Sequence, residues 1–276
     1  MKAMLKLATA ITLASALAVP AANAGETLDR VMTTKTLTMS SDAEYPPQSF
    51  LNDANEMDGF DVDVGKEIAK RLGAELKIVT PSWDIITGGS WGGRWDMSVG
   101  SMTPTKKRAE VLNFPAVYYY TPAAFAVHKD SKAASLADLN GKTIGTCGGC
   151  TYDAYLLKNL EIDAEGTPAF TYDVTAGDIK TYETDTHAFD DLRLGDGVRL
   201  DAAFSALPTI QEAIKSGYPM KIVGKPAFYE PLSVATDKGD PEFDAKISEA
   251  VAAMKTDGTL KALSEKWYGV DLTSVQ

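Results

Sequence analysis

Strand-like and helix-like stretches take turns along this chain, and that alternation narrows its possible folds more than any other feature. Residues 36–40 alternate as a half-buried strand does, while Val64, Ile68, Ala69 and Leu72 recur at helical spacing over residues 64–72. Residues 74–79 predict the next strand, and Ser82-Trp83-Asp84 reads as a cap for a helix carrying Ile85 and Ile86. Residues 95–99 predict another strand and 106–111 another helix. A second series follows: helix-like 135–139, strand 143–145, helix 151–160, strands near 180–182 and 199–204, helix 209–216 and strand 220–223. Residues 125–128 and 228–235 read as extended crossing segments. Helices 241–257 and 259–268 end the chain, with Asp240 before Pro241 as a start signal and Asp257-Gly258 as a stop. Such alternation builds βαβ units on mostly parallel sheets. Two αβ series joined by two crossings predict an α/β protein of two lobes, residues 25–126 with 232–276 and residues 127–231. A cleft between lobes is a common home for small ligands.

Residues 1–24 read as an export signal rather than as part of the fold. Lys2 and Lys6 supply the positive start, residues 7–19 the apolar run, and Ala22-Asn-Ala24 a small-residue cleavage site. The product expected after cleavage is a soluble periplasmic protein. No later stretch approaches the roughly 20 apolar residues of a membrane helix. The mature chain would carry 25 basic against 38 acidic residues, a formal charge of about -13. That balance argues against nucleic acid or an anionic membrane surface as partner. The two cysteines, Cys147 and Cys150, stand in Thr-Cys-Gly-Gly-Cys-Thr. An oxidising compartment permits a disulfide between them, with two free thiols or redox chemistry as alternatives. His128 and His187 are far from this pair in sequence, so no metal site is expected. Trp91 and Trp95 flank a Gly-Gly and are assigned to packing, with contact between Trp91 and a ligand as the alternative.

The chemistry concentrates between Gly100 and Arg108. Gly-Ser-Met-Thr-Pro-Thr-Lys-Lys-Arg follows a strand-like run and brings backbone N–H groups, threonine hydroxyls and one arginine into nine residues. A strand-to-helix turn of this kind offers aligned donors to an anion, and a guanidinium grips a carboxylate with two parallel hydrogen bonds.

Taken together, several segments resemble the periplasmic solute-binding proteins of polar amino-acid ABC transporters, which have a type II periplasmic-binding fold. They are Ser-Asp42-x-x-Tyr45-Pro-Pro, Gly59-Phe-Asp-Val-Asp-Val-Gly-Lys-Glu-Ile68, Ser101-Met-Thr-Pro-Thr-Lys-Lys-Arg108 with Asn113-Phe-Pro, and Leu139-x-Gly-Lys-Thr-Ile-Gly145. Arg199-Leu-Asp-Ala-Ala and Asp257-Gly-Thr-Leu-x-x-Leu-x-x-Lys-Trp-Tyr268 complete the series. The resemblance implies that Asp42 meets a polar or amino group, and that Tyr45 and Trp83 cover opposite faces of the ligand. It implies that Ser101 and Thr103 bind a carboxylate through N–H and hydroxyl while Arg108 clamps it. Cys150 and Thr151 would close on that carboxylate from the second lobe. The implied partners are a small carboxylate-bearing solute and an inner-membrane permease, with the receptor a monomer that needs no cofactor.

Two departures from the family pattern matter. Relatives that bind plain α-amino acids usually carry a second-lobe aspartate for the α-ammonium, and Ala206 stands at the matching position. A buried ammonium without a counter-charge is costly. Either Glu183 or Asp185 substitutes for that acid, or the ligand lacks a free amino group, as a derivative such as an opine-like conjugate or a betaine would. Between Tyr155 and Arg199 the chain also runs roughly fifteen residues longer than compact relatives, which makes 164–179 a lid or a surface elaboration. The alternative functions are a periplasmic enzyme of the cyclohexadienyl-dehydratase type, with Asp42, Glu44 or Glu183 as acid or base, and a ligand-presenting partner of a membrane sensor.

Overall fold

The structure is a computed structural model and describes residues 25–274; the export signal expected at 1–24 lies outside the described residues. The chain opens with α1 (Glu26–Thr34), β1 (Thr36–Ser40), the short strands β2 (Glu44–Tyr45), β3 (Ser49–Leu51) and β4 (Met57–Asp58), and α2 (Phe60–Leu72). It continues through β5 (Glu75–Val79), α3 (Trp83–Thr87), β6 (Met97–Met102), α4 (Lys106–Ala109) and β7 (Leu112–His128). The second series is β8 (Thr143–Cys147), α5 (Thr151–Leu156), β9 (Asp178–Tyr182), α6 (Asp185–Leu192), β10 (Ala202–Ala206) and α7 (Leu207–Lys215). Then come β11 (Met220–Asp237), α8 (Pro241–Thr256) and α9 (Thr259–Tyr268).

Eight strands form one sheet in the order β5-β1-β6-β11-β7-β10-β8-β9. The pairs at each end are parallel, as βαβ units require, while β7 and β11 run antiparallel through the middle. On one side β11 pairs with β6, on the other β7 pairs with β10, so these two long strands carry the chain from one lobe to the other. The predicted pieces 125–128, 220–223 and 228–235 are therefore parts of two continuous strands. Their pairing is irregular between Val223 and Phe228. That break splits a strand whose apolar pattern, read alone, looks like two.

Each lobe buries its own core. In the first, α2 turns Phe60, Val64, Ile68, Ala69 and Leu72 onto the sheet against Leu37, Met39, Met97 and Val99, with α8 adding Phe243, Ile247 and Val251. Acids in the first turn of α2 and Lys70 and Arg71 in the last complement its dipole, and Gly73 in the left-handed region ends it. In the second lobe Phe125, Phe204, Tyr155 and Phe228 form an aromatic cluster, the first two stacked with centroids 3.9 Å apart. Trp91 and Trp95 are buried together with Ile86 and Met102, and the Trp91 indole donates to the Ile86 carbonyl, which makes both packing residues.

Segment 164–179 supplies Phe170, Tyr172 and Val174 to the second core rather than covering the cleft. The Tyr155 hydroxyl donates to the Thr171 carbonyl and accepts from the Asp173 N–H, fixing the segment to the outer side of that lobe. Several expectations are corrected. Leu136–Leu139 form a short 3-10 turn, α4 and α5 are shorter than predicted, and β6 runs on to Met102. After β9 the chain forms α6, which the sequence reading did not include: Thr184 caps it by accepting the His187 N–H and Asp185 starts its first turn.

Candidate functional site

A cavity of about 470 Å³, counted to its open mouth, lies between the lobes. Asp42, Tyr45, Trp83, Ser101, Thr103, Arg108, Cys150, Thr151, Glu183 and Asp185 all line it, joined by Glu230, Tyr152 and Thr184. Residues as far apart in sequence as Asp42 and Glu230 thus converge, most of them because β1, β6, β8 and β9 all end toward the same gap, each followed by a turn that carries polar groups.

From the first lobe, the Asp42 carboxylate folds back to accept the Glu44 N–H at 2.8 Å. Burial raises its pKa, and the charges of Glu44 and Glu183 add to the rise. Trp83 begins α3, and the Arg108 guanidinium lies 5.2 Å from its ring centroid, a cation–π distance. The Trp83 indole nitrogen is buried without a hydrogen-bond partner among the described residues. Arg108 is itself buried, donating to the Thr103 carbonyl at 2.9 Å and across the gap to the Gly149 carbonyl at 3.1 Å. Burial lowers its pKa to about 10, against the pull of Glu230.

Ser101 departs from its expected role. Its backbone sits at φ 53°, in the left-handed region that disfavours a side chain, and its N–H donates to the Tyr118 hydroxyl. Its own hydroxyl donates to Asp61 at 2.7 Å and lies 2.5 Å from the Tyr119 hydroxyl. Ser101 therefore lines the cavity with its donors already engaged inside its own lobe. The buried Asp61 that holds it has its pKa pushed up to about 7 by loss of water.

From the second lobe, a disulfide joins Cys147 to Cys150 and ties the end of β8 to the start of α5. Gly149 adopts φ 70°, which glycine allows at no steric cost, and so presents its carbonyl to Arg108. Asp185, 5% exposed, has its pKa pushed up to about 7 by burial, with Asp42 and Glu230 adding to the rise. One of its oxygens is buried with no hydrogen-bond partner among the described residues. Glu183 is exposed at the rim. Ala206, where relatives carry an acid, is buried at the junction of β10 and α7 and packs in the second core.

Sequence reasoning missed Tyr152, Thr184 and Glu230; of these Glu230, on β11 and 2% exposed, is the charged one. One of its oxygens accepts from the Thr103 hydroxyl at 2.9 Å and from the Thr151 hydroxyl; the other accepts from the Tyr152 hydroxyl at 2.7 Å. Burial raises its pKa, while these hydroxyls and Arg108 hold it down. The available signal was a single acid inside an otherwise apolar crossing segment, which binary patterning marks as anomalous.

The lobes touch around the cavity. Besides the Arg108 bond, Tyr45 and Tyr152 hydroxyls meet at 3.3 Å and Gln48 donates to Thr209 at 3.1 Å. Thr184 and Thr186 hydroxyls donate to the side chain and carbonyl of Glu44. On the other flank Lys106 N–H donates to the Glu161 carbonyl and Asp163 N–H to the Pro104 carbonyl, a two-bond β-bridge between lobes.

Two α/β lobes joined by a pair of crossing strands and closed over a polar cavity define a receptor for small solutes. The chain belongs to the bacterial extracellular solute-binding proteins, family 3, and matches that family over residues 37–270. It is 28% identical over 249 residues to the L-cystine-binding protein TcyJ of Escherichia coli (strain K12), covering 89% of this chain and 87% of that protein. It is 27% identical to the octopine-binding periplasmic protein of Rhizobium meliloti, with 87% and 92% covered. The crystal structure of an ancestral amino-acid-binding protein described as a precursor of cyclohexadienyl dehydratase superimposes with a TM-score of 0.74 at 30% identity, covering 88% of this chain and 99% of that one.

Proposed function

We propose that this protein captures an amino acid with a free α-amino group, or a derivative that keeps one, and delivers it to the permease of an ABC importer. Arg108 and the N–H groups of Cys150 and Thr151 take the ligand's carboxylate. Asp185 takes the α-ammonium in place of the acid absent at Ala206. Tyr45 and Trp83 cover the two faces of the apolar stem, and Asp42 and Glu183 meet the far end. The observation that carries this reading is the buried Asp185 oxygen without a partner among the described residues, since a buried carboxylate left unpaired is costly unless a ligand supplies the donor. In this reading residues 25–126 with 232–276 move as one body and 127–231 as the other. Closure follows because the ligand touches both and so binds the closed form more tightly. Residues 1–24 direct export to the periplasm, where the receptor acts as a monomer. The name of a relative that binds cystine supports an amino-acid ligand.

The test is a thermal-shift panel on ligand-stripped, refolded protein, because a ligand that binds only the folded state raises its melting temperature. Amino acids with a free α-amino group are expected to raise it, with no shift in Arg108→Ala or Asp185→Asn. A response confined to solutes without an amino group refutes the reading. Recovery of the ligand intact after incubation separates a receptor from the dehydratase that the ancestral neighbour brings to mind.

A further inference from the structure

The Cys147–Cys150 disulfide stands in the wall of the ligand cavity, which both residues line. A cross-link over so short a stretch takes little freedom from the unfolded chain, so it adds less to overall stability than a long-range bridge would. Its local effect is larger. Gly148 and Gly149 lie inside the ring it closes, and two adjacent glycines leave a loop many conformations to choose from. The Gly148 N–H donates to the Tyr182 carbonyl at 2.8 Å, and the Gly149 N–H to the Asp153 carboxylate at 3.2 Å. Neither bond engages the Gly149 carbonyl, which accepts from Arg108 across the gap at 3.1 Å. The disulfide sets the direction of that carbonyl by tying Cys150, the N-cap residue of α5, back to the end of β8. The Arg108 guanidinium is held by the Thr103 carbonyl, the Trp83 ring and the Gly149 carbonyl, and of these only Gly149 belongs to the second lobe.

We propose that this disulfide is a redox-sensitive switch of ligand capture. Joined, it holds the Gly149 carbonyl where Arg108 meets it as the lobes close; reduced, the loop must be ordered anew at each closure and capture weakens. The inference rests on the amino-acid reading of the site, in which Arg108 takes the ligand's carboxylate. Cys150 is half-buried on the cavity wall while Cys147 is 4% exposed, so a small dithiol attacks at Cys150. Its first thiolate bonds to the Cys150 sulfur and Cys147 leaves as a thiolate. Its second thiolate then displaces Cys150, so the two cysteines are reduced as the dithiol closes to its own disulfide. By linkage, a bound ligand favours the joined form by the same factor by which that form favours the ligand.

Calorimetry compares the full chain, stripped of ligand, with its Cys147→Ser, Cys150→Ser double variant. The probes are L-arginine, L-glutamine and L-cystine, then the other standard amino acids, at a temperature where circular dichroism shows both proteins folded. The variant is expected to bind at least about fivefold more weakly, the scale of ordering one loop residue that the cross-link had fixed. A bridge that served folding alone would lower the melting temperature and leave affinity unmoved, so a smaller loss overturns the proposal. Should the variant fail to fold, wild type decides alone in mixtures of reduced and oxidised dithiothreitol. There a saturating amino acid is expected to shift the chain toward its disulfide by about fivefold or more, and a smaller shift overturns the proposal. If the oxidised chain binds no amino acid, the amino-acid reading itself has failed and this inference falls with it; binding that ignores the disulfide sinks the inference alone.

Discussion

Replacing Asp185 with asparagine probes the site through stability before any ligand is known. The carboxyl is pushed up to about 7 from an ordinary 3.8 because the closed cleft strips its water. From about pH 4 to about pH 7 the folded chain therefore keeps a proton that the unfolded chain releases, so this group's contribution is fully present below pH 4 and lost as pH rises through 7. At about 1.4 kcal/mol per unit, the three-unit rise sets a ceiling of about 4 kcal/mol. Against it stands the first turn of α6, where the helix dipole favours a negative charge by about 0.3–1 kcal/mol. Burial outweighs the dipole. The uncharged asparagine escapes the penalty, so the ligand-free variant should exceed wild type by about 2–4 kcal/mol at pH 8, or several degrees in melting temperature. The two should coincide near pH 4. Urea melts of both proteins at the two pH values measure this directly. The same substitution removes the counter-charge for an ammonium, so affinity should fall as stability rises. An asparagine variant that is less stable at pH 8, or whose advantage is the same at both pH values, refutes the reasoning.

Other outcomes follow from the geometry. Arg108→Ala should weaken ligand binding by about 2–4 kcal/mol in calorimetry, the scale of a lost charge-assisted contact in a buried site. Reducing the Cys147–Cys150 disulfide frees a short loop and should lower stability by about 2 kcal/mol, read as a fall in melting temperature with dithiothreitol. Asp163→Pro removes the N–H given to Pro104 across the gap; losing one hydrogen bond of about 1 kcal/mol should raise Kd several-fold while leaving the circular dichroism spectrum unchanged. Phe204→Ala opens the stacked core under the second lobe and should cost about 3–5 kcal/mol in urea melts.

Periodicity made the large elements legible. Residues 36–40 form β1 and 259–268 form α9 with the expected bounds, and the helix at 241–257 ends one residue early, because each has a clear apolar repeat or a cap and stop signal. The short strands β2 to β4 were missed since two or three residues carry no period, and α6 since its acidic start looks like a solvated loop. The positions of Arg108 and Asp185 at the cavity were legible because each belongs to a local motif or to a gap in one. Ser101 was misread in its details: its donors go to Asp61, Tyr118 and Tyr119, from elements distant in sequence that only packing brings near. Glu230 left one signal, a lone acid in an apolar crossing segment, but its place at the site comes from Thr103, Thr151 and Tyr152 converging on it.

The crossing strands β7 and β11 are hydrogen-bonded to each other along most of their length. A paired ribbon twists and bends with little resistance but does not stretch or slide, because sliding would break every rung at once. In the closure proposed above, the two halves would therefore swing about this strap rather than slide past each other, and a solute that drew them together would bring the same rims into register.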